Sequence, residues 1–473
     1  MFWQIQRDFS SLFTRRNDKD NHFHPIDGLR SISNLLIISL HLVAIFTTFI
    51  SPYPHSQWVK YLESKAFALS NYMLFSLETF FMLSGFLLTY KLITQWNRSF
   101  PSMELFFQRE YPISILKRAL RFWPGILLAS LILFVFGEPF YPNSSYIFEF
   151  FRNLNIWMFF QNYIDFEYWY FSLTPLWSIS IDMQVHILLP LFIYLFYLIR
   201  KYISIFKSLF FLLIISIIRG IIVFNPETMP IGSVAYHYPS LPLLSPLHLN
   251  HWLQNNYNLT FQLQYKETNA MKLFMQQMYL PLDARIGSFI IGAMLAIKII
   301  QNSLNSNNTK PKTFKKYFFF GLVFLHLLSL LQSSDLPPSP PDFILRFLVG
   351  TGRQLFTLGQ AFILFSALCP PTHPYHSRWI KTFLSSSIWI PISKLSYLVY
   401  LIHLRISLEL IFGGPLRFLK TYSVTQATLI SLPIVLILSQ IISSIWYVLA
   451  EKPIERAIKY YSKRYQLSKI DMK

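Results

Sequence analysis

The chain has one cysteine, Cys369, in 473 residues. That excludes a disulfide framework and a thiolate metal site, and it argues against a covalent thioester carried on the protein. Charge is scarce as well: Asp, Glu, Lys and Arg make up 13% of the residues, and 22 acids face 41 bases, for a net charge of +19. No short apolar core followed by small residues precedes His24, so residues 1–25 do not read as a cleaved signal peptide, and the first apolar run is expected to serve as an uncleaved signal anchor. No internal repeat is evident.

What fills the chain instead is apolar: 53% hydrophobic and 18% aromatic residues, with a mean hydropathy of +0.39. Runs of about twenty apolar residues recur throughout, which is the length a helix needs to cross a bilayer. The expected architecture is therefore an all-α, polytopic transmembrane bundle of about ten spans. They lie near 31–50, 69–90, 119–137, 176–199, 206–224, 281–300, 317–333, 344–368, 392–412 and 425–449. The basic excess does not point to nucleic acid, because Lys and Arg cluster between the apolar runs and form no single basic face. With both termini cytoplasmic, the inner segments hold 29 of the 41 Lys and Arg, as the positive-inside rule demands.

The expected organisation is a cytoplasmic segment 1–25, a membrane domain 26–455 and a basic cytoplasmic tail 456–473. Residues 225–280 form the longest polar stretch and read as an outer lid or acceptor-binding loop. The piece Ile156–Ile164 is too short to span, and counting it as a span would reverse every later segment; it reads as interfacial or re-entrant. Residues 336–341, Leu-Pro-Pro-Ser-Pro-Pro, read as a stiff outer turn, and 302–316 as a polar, basic inner linker. Asn143 and Asn258 head sequons on the outer side that matter only in a eukaryotic host.

Ionisable residues inside apolar runs carry the functional signal, because burying them in lipid is costly. At 1.5 Å per residue, His41 lies about 16 Å from Arg30, Glu78 about 20 Å from Lys91, His186 about 21 Å from Arg200, Arg285 about 20 Å from Lys298, and His403 about 14 Å from Lys394. Five side chains from five spans thus gather near mid-membrane, which predicts a shared polar cavity. Arg30 and His41, eleven residues apart, also share one helical face. A lone intramembrane histidine can simply hydrogen-bond between helices; beside Glu78, His41 would be oriented as a general base. Arg118 and Arg121, spaced three apart, face the same way and can grip a phosphate, or anchor the helix to lipid headgroups.

These residues sit in motifs that resemble the acyltransferase family three, integral-membrane enzymes that move acyl groups from acyl-coenzyme A to hydroxyl acceptors. The motifs are Ile26-Asp27-Gly28-Leu29-Arg30 with His41; Glu78-Thr79-Phe80-Phe81-Met82-Leu83-Ser84-Gly85-Phe86; Arg118-x-x-Arg121-x-x-Pro124; Trp177 through Gln184; Arg285-Ile286-Gly287 with Gly292; Leu395-Ser396-Tyr397 to His403; and Glu451-Lys452-Pro453. The resemblance implies that His41 is the essential histidine and that Arg118 and Arg121 bind the acyl donor. Catalysis then falls to His41 and Glu78, donor binding to Arg118, Arg121 and Arg30, and the substrate cavity to Asp182, His186, Arg285 and His403. The donor implied is acyl-CoA, acetyl-CoA first, with no metal; the partners are a carbohydrate or lipid acceptor and the bilayer, not nucleic acid.

Asp182-Met183-Gln184 is closer to the branch resembling nose-resistant-to-fluoxetine proteins than to bacterial sugar acetylases, and His186 replaces an aromatic residue. The resemblance also implies the type without a fused SGNH hydrolase. Ser84-Gly85 reads as a close-packing pair and not as a nucleophile. The membrane would be the inner membrane of a bacterium, or the endoplasmic reticulum or plasma membrane of a eukaryote. A transporter or lipid flippase is the competing reading, since buried His, Glu and Arg also line transport pathways.

Overall fold

The computed structural model describes residues 2–15, 23–49, 75–136, 146–164, 173–225, 275–304, 342–371 and 375–467, with 73, 169, 273 and 373. Every regular element among them is helical. The expected span at 317–333, the Pro-rich turn 336–341, most of the 225–280 segment and most of the 302–316 linker lie outside the described residues.

The long helices are α2 (His24–Phe49), α3 (Ser76–Trp96), α4 (Tyr111–Phe136), α6 (Leu176–Leu198), α7 (Ile205–Val223), α8 (Leu282–Leu304), α9 (Asp342–Leu368), α11 (Trp389–Leu408) and α12 (Val424–Trp446). Shorter ones are α1 (Phe2–Ser10), α5 (Tyr146–Trp157) and α10 (Arg378–Leu384), and α13 (Lys452–Leu467) closes the series. Seven described segments are long and apolar enough to cross a membrane; α4 and α9 add 26 and 27 residues of helix. The start signals are local. Pro25 sits in the first turn of α2, where its missing N–H costs nothing, and Ser423 with Gln426 forms a capping box on α12. Pro124, Pro190 and Pro433 lie inside α4, α6 and α12, where neighbouring helices compensate for the lost backbone bonds.

The two segments expected to flank the membrane domain carry helix. Residues 1–25 contain helix α1, tied to the body by an ion pair from Asp8 to Arg456 and by the fully buried Leu12. The basic tail is helical through Leu467, as α13. Ile156–Ile164 is no span: α5 ends at Trp157, and a single turn at Gln161–Tyr163 follows.

α3 and α8 make the tightest crossing. A Cβ on Gly85 would sit 2.2 Å from the Phe289 carbonyl oxygen, and one on Gly292 would sit 2.0 Å from that of Met82. Both contacts are with backbone, so neither helix can yield, and glycine is what lets the axes approach. This seats Glu78 on α3 against Arg285 on α8. α2 packs on α11, which brings His41 against His403, and α4 packs on both α6 and α11.

Candidate active site

His41 on α2 and His403 on α11 are both buried, and their rings stack with centroids 4.8 Å apart. His41 Nδ1 lies 2.6 Å from His403 Nε2, and His403 Nδ1 lies 3.1 Å from the Val399 carbonyl oxygen. A carbonyl only accepts, so the proton positions follow in order for two neutral rings. His403 carries its proton on Nδ1 and donates it to Val399. Its Nε2 must then accept from His41 Nδ1–H, which leaves a bare lone pair on His41 Nε2. The side-chain hydrogen bond that His41 makes among the described residues is through Nδ1. The arrangement is a fixed tautomer relay that ends in a base.

A cavity of about 1350 Å³ runs alongside. Its lining includes Arg30, Ser84, Arg118, Arg121, Asp182 and His186, together with the further cations Lys91, Arg109, Lys117 and Lys394. Arg118 is not open on every side: Nε donates to Asp182 at 3.1 Å, Nη2 is ion-paired with the same carboxylate, and Nη2 also donates to Ser84 Oγ at 3.1 Å. Its guanidinium covers the Phe122 ring at 4.8 Å. His186 Nε2 lies 3.2 Å from Ser114 Oγ. Phe80, Ser178 and Tyr400 also line the cavity; Ser178 Oγ is 2.9 Å from Tyr400 Oη, and the Tyr400 ring lies 6.0 Å from that of His403. His41 and His403 do not line the cavity themselves; His403 neighbours the lining residue Tyr400, and His41 contacts His403.

Glu78, whose contact with His41 the sequence leaves open, pairs with α8 instead. Glu78, fully buried, is ion-paired with Arg285, accepts from Ser288 Oγ at 2.7 Å, and lies 3.7 Å from Arg353 Nε. In a low dielectric a carboxylate takes the nearest cation, and α8 supplies one directly across the glycine crossing. The expected single cavity is therefore two places: Arg30, Arg118, Arg121, Asp182 and His186 line the cavity, whereas Glu78 and Arg285 do not. Sequence reasoning missed Arg353, although it lies mid-way along an apolar run and meets the same criterion as the others. It also missed Tyr400, which carries no sequence signal beyond an aromatic in a span. No group of three or more His, Cys, Asp or Glu among the described residues is placed to hold a metal ion.

An acyltransferase-domain profile matches residues 23–448, nearly the whole chain and every motif above except Glu451-Lys452-Pro453. The chain belongs to this acyltransferase family. The chain is also similar to the peptidoglycan O-acetyltransferase OatA of Listeria monocytogenes, 26% identical over 179 residues, which is 36% of this chain and 24% of that protein. This chain thus matches about a quarter of that relative's length. No solved structure matches the chain. The family match runs from the residue before α2 to the end of the membrane helices, so it encloses the histidine relay, the cationic cavity and the Glu78–Arg285 pair.

Proposed function

We propose that this chain is a multi-pass membrane O-acyltransferase that moves an acyl group, acetyl first, from acyl-CoA to a hydroxyl of a carbohydrate or lipid acceptor. One observation carries the reading: a pinned histidine pair that leaves His41 Nε2 as an acceptor, joined through His403 and Tyr400 to a cation-lined cavity. The lining suits a polyanionic donor, since Lys91, Arg109, Lys117, Arg118, Arg121 and Lys394 outnumber the two acids Glu110 and Asp182. Coenzyme A would supply an acyl group already activated as a thioester. Arg121, Lys117 and Arg30 would hold its phosphates, while Asp182 and Ser84 keep the Arg118 guanidinium oriented on the same wall.

His41 Nε2 takes the proton of the acceptor hydroxyl as its oxygen attacks the acyl carbon, and the imidazolium formed is stabilised through Nδ1–H to His403. The departing thiolate, with a reference pKa of about 8.5, needs little acid assistance. The acyl end of the donor has to pass Phe80 and Tyr400 to reach that nitrogen. The matched relative's name supports the carbohydrate class of acceptor, and the family supports acyl transfer over transport. The topology with both termini cytoplasmic and about ten spans belongs to the same reading, because it places the cavity's cations on the cytoplasmic side, where coenzyme A is available.

The test is transfer of label from acetyl-CoA to host envelope extract by the purified protein. His41→Ala is expected to lower transfer by about 10²–10⁴-fold at normal membrane levels, the usual span for a general base. Full activity in that variant refutes the assignment. Movement of an unmodified substrate across a reconstituted bilayer, without label transfer, would support a transporter or flippase instead.

A further inference from the structure

Among the described residues the buried charge around Glu78 does not balance. Two guanidiniums, Arg285 and Arg353, contact this carboxylate, which leaves the group with one net positive charge. Arg285 is 2% exposed; Nη1 pairs with Glu78, Nε donates to the Tyr279 carbonyl oxygen at 2.7 Å, and Nη2 has no partner among the described residues. Arg353 is committed by a bond from Nη1 to the Met278 carbonyl oxygen at 2.5 Å. The Arg285 guanidinium lies over Tyr279 at 4.2 Å and Trp177 at 5.1 Å, whose rings soften the excess but do not cancel it. An unpaired charge at this depth is costly unless an anion joins it.

The place fits an anion of the reaction. Trp177, which the Arg285 guanidinium faces, precedes Ser178, and Ser178 lines the cavity and touches Tyr400 beside His403. It is not where the donor phosphates go. Glu78 and Lys91 are thirteen residues apart on α3, about 20 Å along the helix, so the phosphate-suited cations lie a full helix length away.

We propose that Arg285 Nη2 is the donor of a second anion site, buried behind the Ser178–Tyr400 wall of the cavity, which takes one carboxylate-like oxygen. This rests on the acyltransferase reading given above. The oxygen has two possible sources: a carboxylate on an acidic carbohydrate acceptor, or the thioester oxygen as it gains charge during attack.

Arg285→Lys keeps the charge that faces Glu78 and removes Nη2. Label transfer from acetyl-CoA is measured to the host's envelope carbohydrate, native and methyl-esterified at its carboxylates, and hydrolysis of acetyl-CoA by water is measured without acceptor. If the acceptor carries the anion, the wild type loses about 10–100-fold on esterification, the variant no longer distinguishes the two substrates, and hydrolysis is unchanged. If the reacting oxygen is the anion, the variant loses a similar factor in transfer to both substrates and in hydrolysis. Equal rates for wild type and variant on all three substrates overturn the site.

A readout independent of acyl transfer separates this from failure of the enzyme reading: formate is expected to raise the unfolding temperature of the wild type and not that of Arg285→Lys. Glu78→Gln removes the internal counter-charge, so it is expected to lower the formate concentration needed, a gain that misfolding does not produce. No formate effect in the wild type or in Glu78→Gln overturns the proposal even if the protein transfers acyl groups.

Discussion

His403→Ala isolates the relay from the base. The substitution leaves His41 in place but removes the acceptor that its Nδ1 contacts, at 2.6 Å. The buried Nδ1–H is then unsatisfied, which costs about 1–3 kcal/mol unless the ring flips or the proton moves to Nε2. Either response withdraws the Nε2 lone pair from the acceptor hydroxyl. At 1.4 kcal/mol per decade, the fraction of His41 in the productive tautomer falls by about 5–150-fold. The expected result is a kcat lower by that factor, with KM for acetyl-CoA unchanged, since His403 does not line the donor cavity.

His403→Gln offers an amide oxygen that can accept from Nδ1–H, so it is expected to recover much of the loss. A merely structural His403 would show the same deficit in Gln as in Ala, accompanied by lower membrane levels. The decisive assay is label transfer from acetyl-CoA across a pH series, with protein quantified in the membrane. A His403→Ala variant that retains wild-type kcat at normal abundance refutes the relay.

The two arginines of α4 should separate in kinetics. Arg121→Ala raises KM for acetyl-CoA and flattens its dependence on salt, whereas Asp182→Asn, which frees Arg118 from its carboxylate, changes KM in the opposite direction; donor titrations at two ionic strengths check both. In the loop after α9, burial holds His373 and His376 below their ordinary value of 6.5, with Lys298 and Lys381 respectively adding to the effect. Between the lowered native value and 6.5 the unfolded chain binds more protons than the native one, so stability falls as pH drops through that window. Unfolding temperatures at pH 7.5 and 5.5 should show this loss, reduced in the His373→Gln/His376→Gln variant.

The helical class and the positions of most spans are legible in composition and run length alone. α6 begins at residue 176 and α7 at 205, within one residue of their expected starts. The close approach at Ser84-Gly85 is legible too, because a glycine within a span has few other uses. What periodicity cannot supply is the azimuth of one helix against another. Depth along the helices placed His41, Glu78, Arg285 and His403 in one layer, but which pair meets depends on whether α2 packs its histidine toward α11 or toward α3. Once α8 crosses α3 at the two glycines, Arg285 reaches Glu78 first, and His41 is left to His403, 362 residues away in sequence. Arg353 was within reach of the depth criterion and completes the same cluster.

The same geometry bears on whether the acyl group rests on the protein on its way to the acceptor. A serine carrier needs a base in contact with its hydroxyl, and the Ser84 hydroxyl instead accepts from the Arg118 guanidinium, which cannot take a proton. The thiol alternative is weaker. Burial pushes the Cys369 thiol up to about 12, even with the Asn302 side chain acting against it, so almost none is thiolate at neutral pH. Neither nucleophile has its activating partner, whereas His41 Nε2 is an acceptor already prepared for a hydroxyl brought to it. Direct transfer through a ternary complex is therefore expected. Initial rates over a grid of donor and acceptor concentrations should give intersecting lines, Ser84→Ala and Cys369→Ala should keep transfer within about threefold, and quenching with acid should trap no labelled protein. Parallel lines together with label on Ser84 would overturn this, and would require Arg118 to swing away from Ser84 and His41 to move toward the cavity before each turnover.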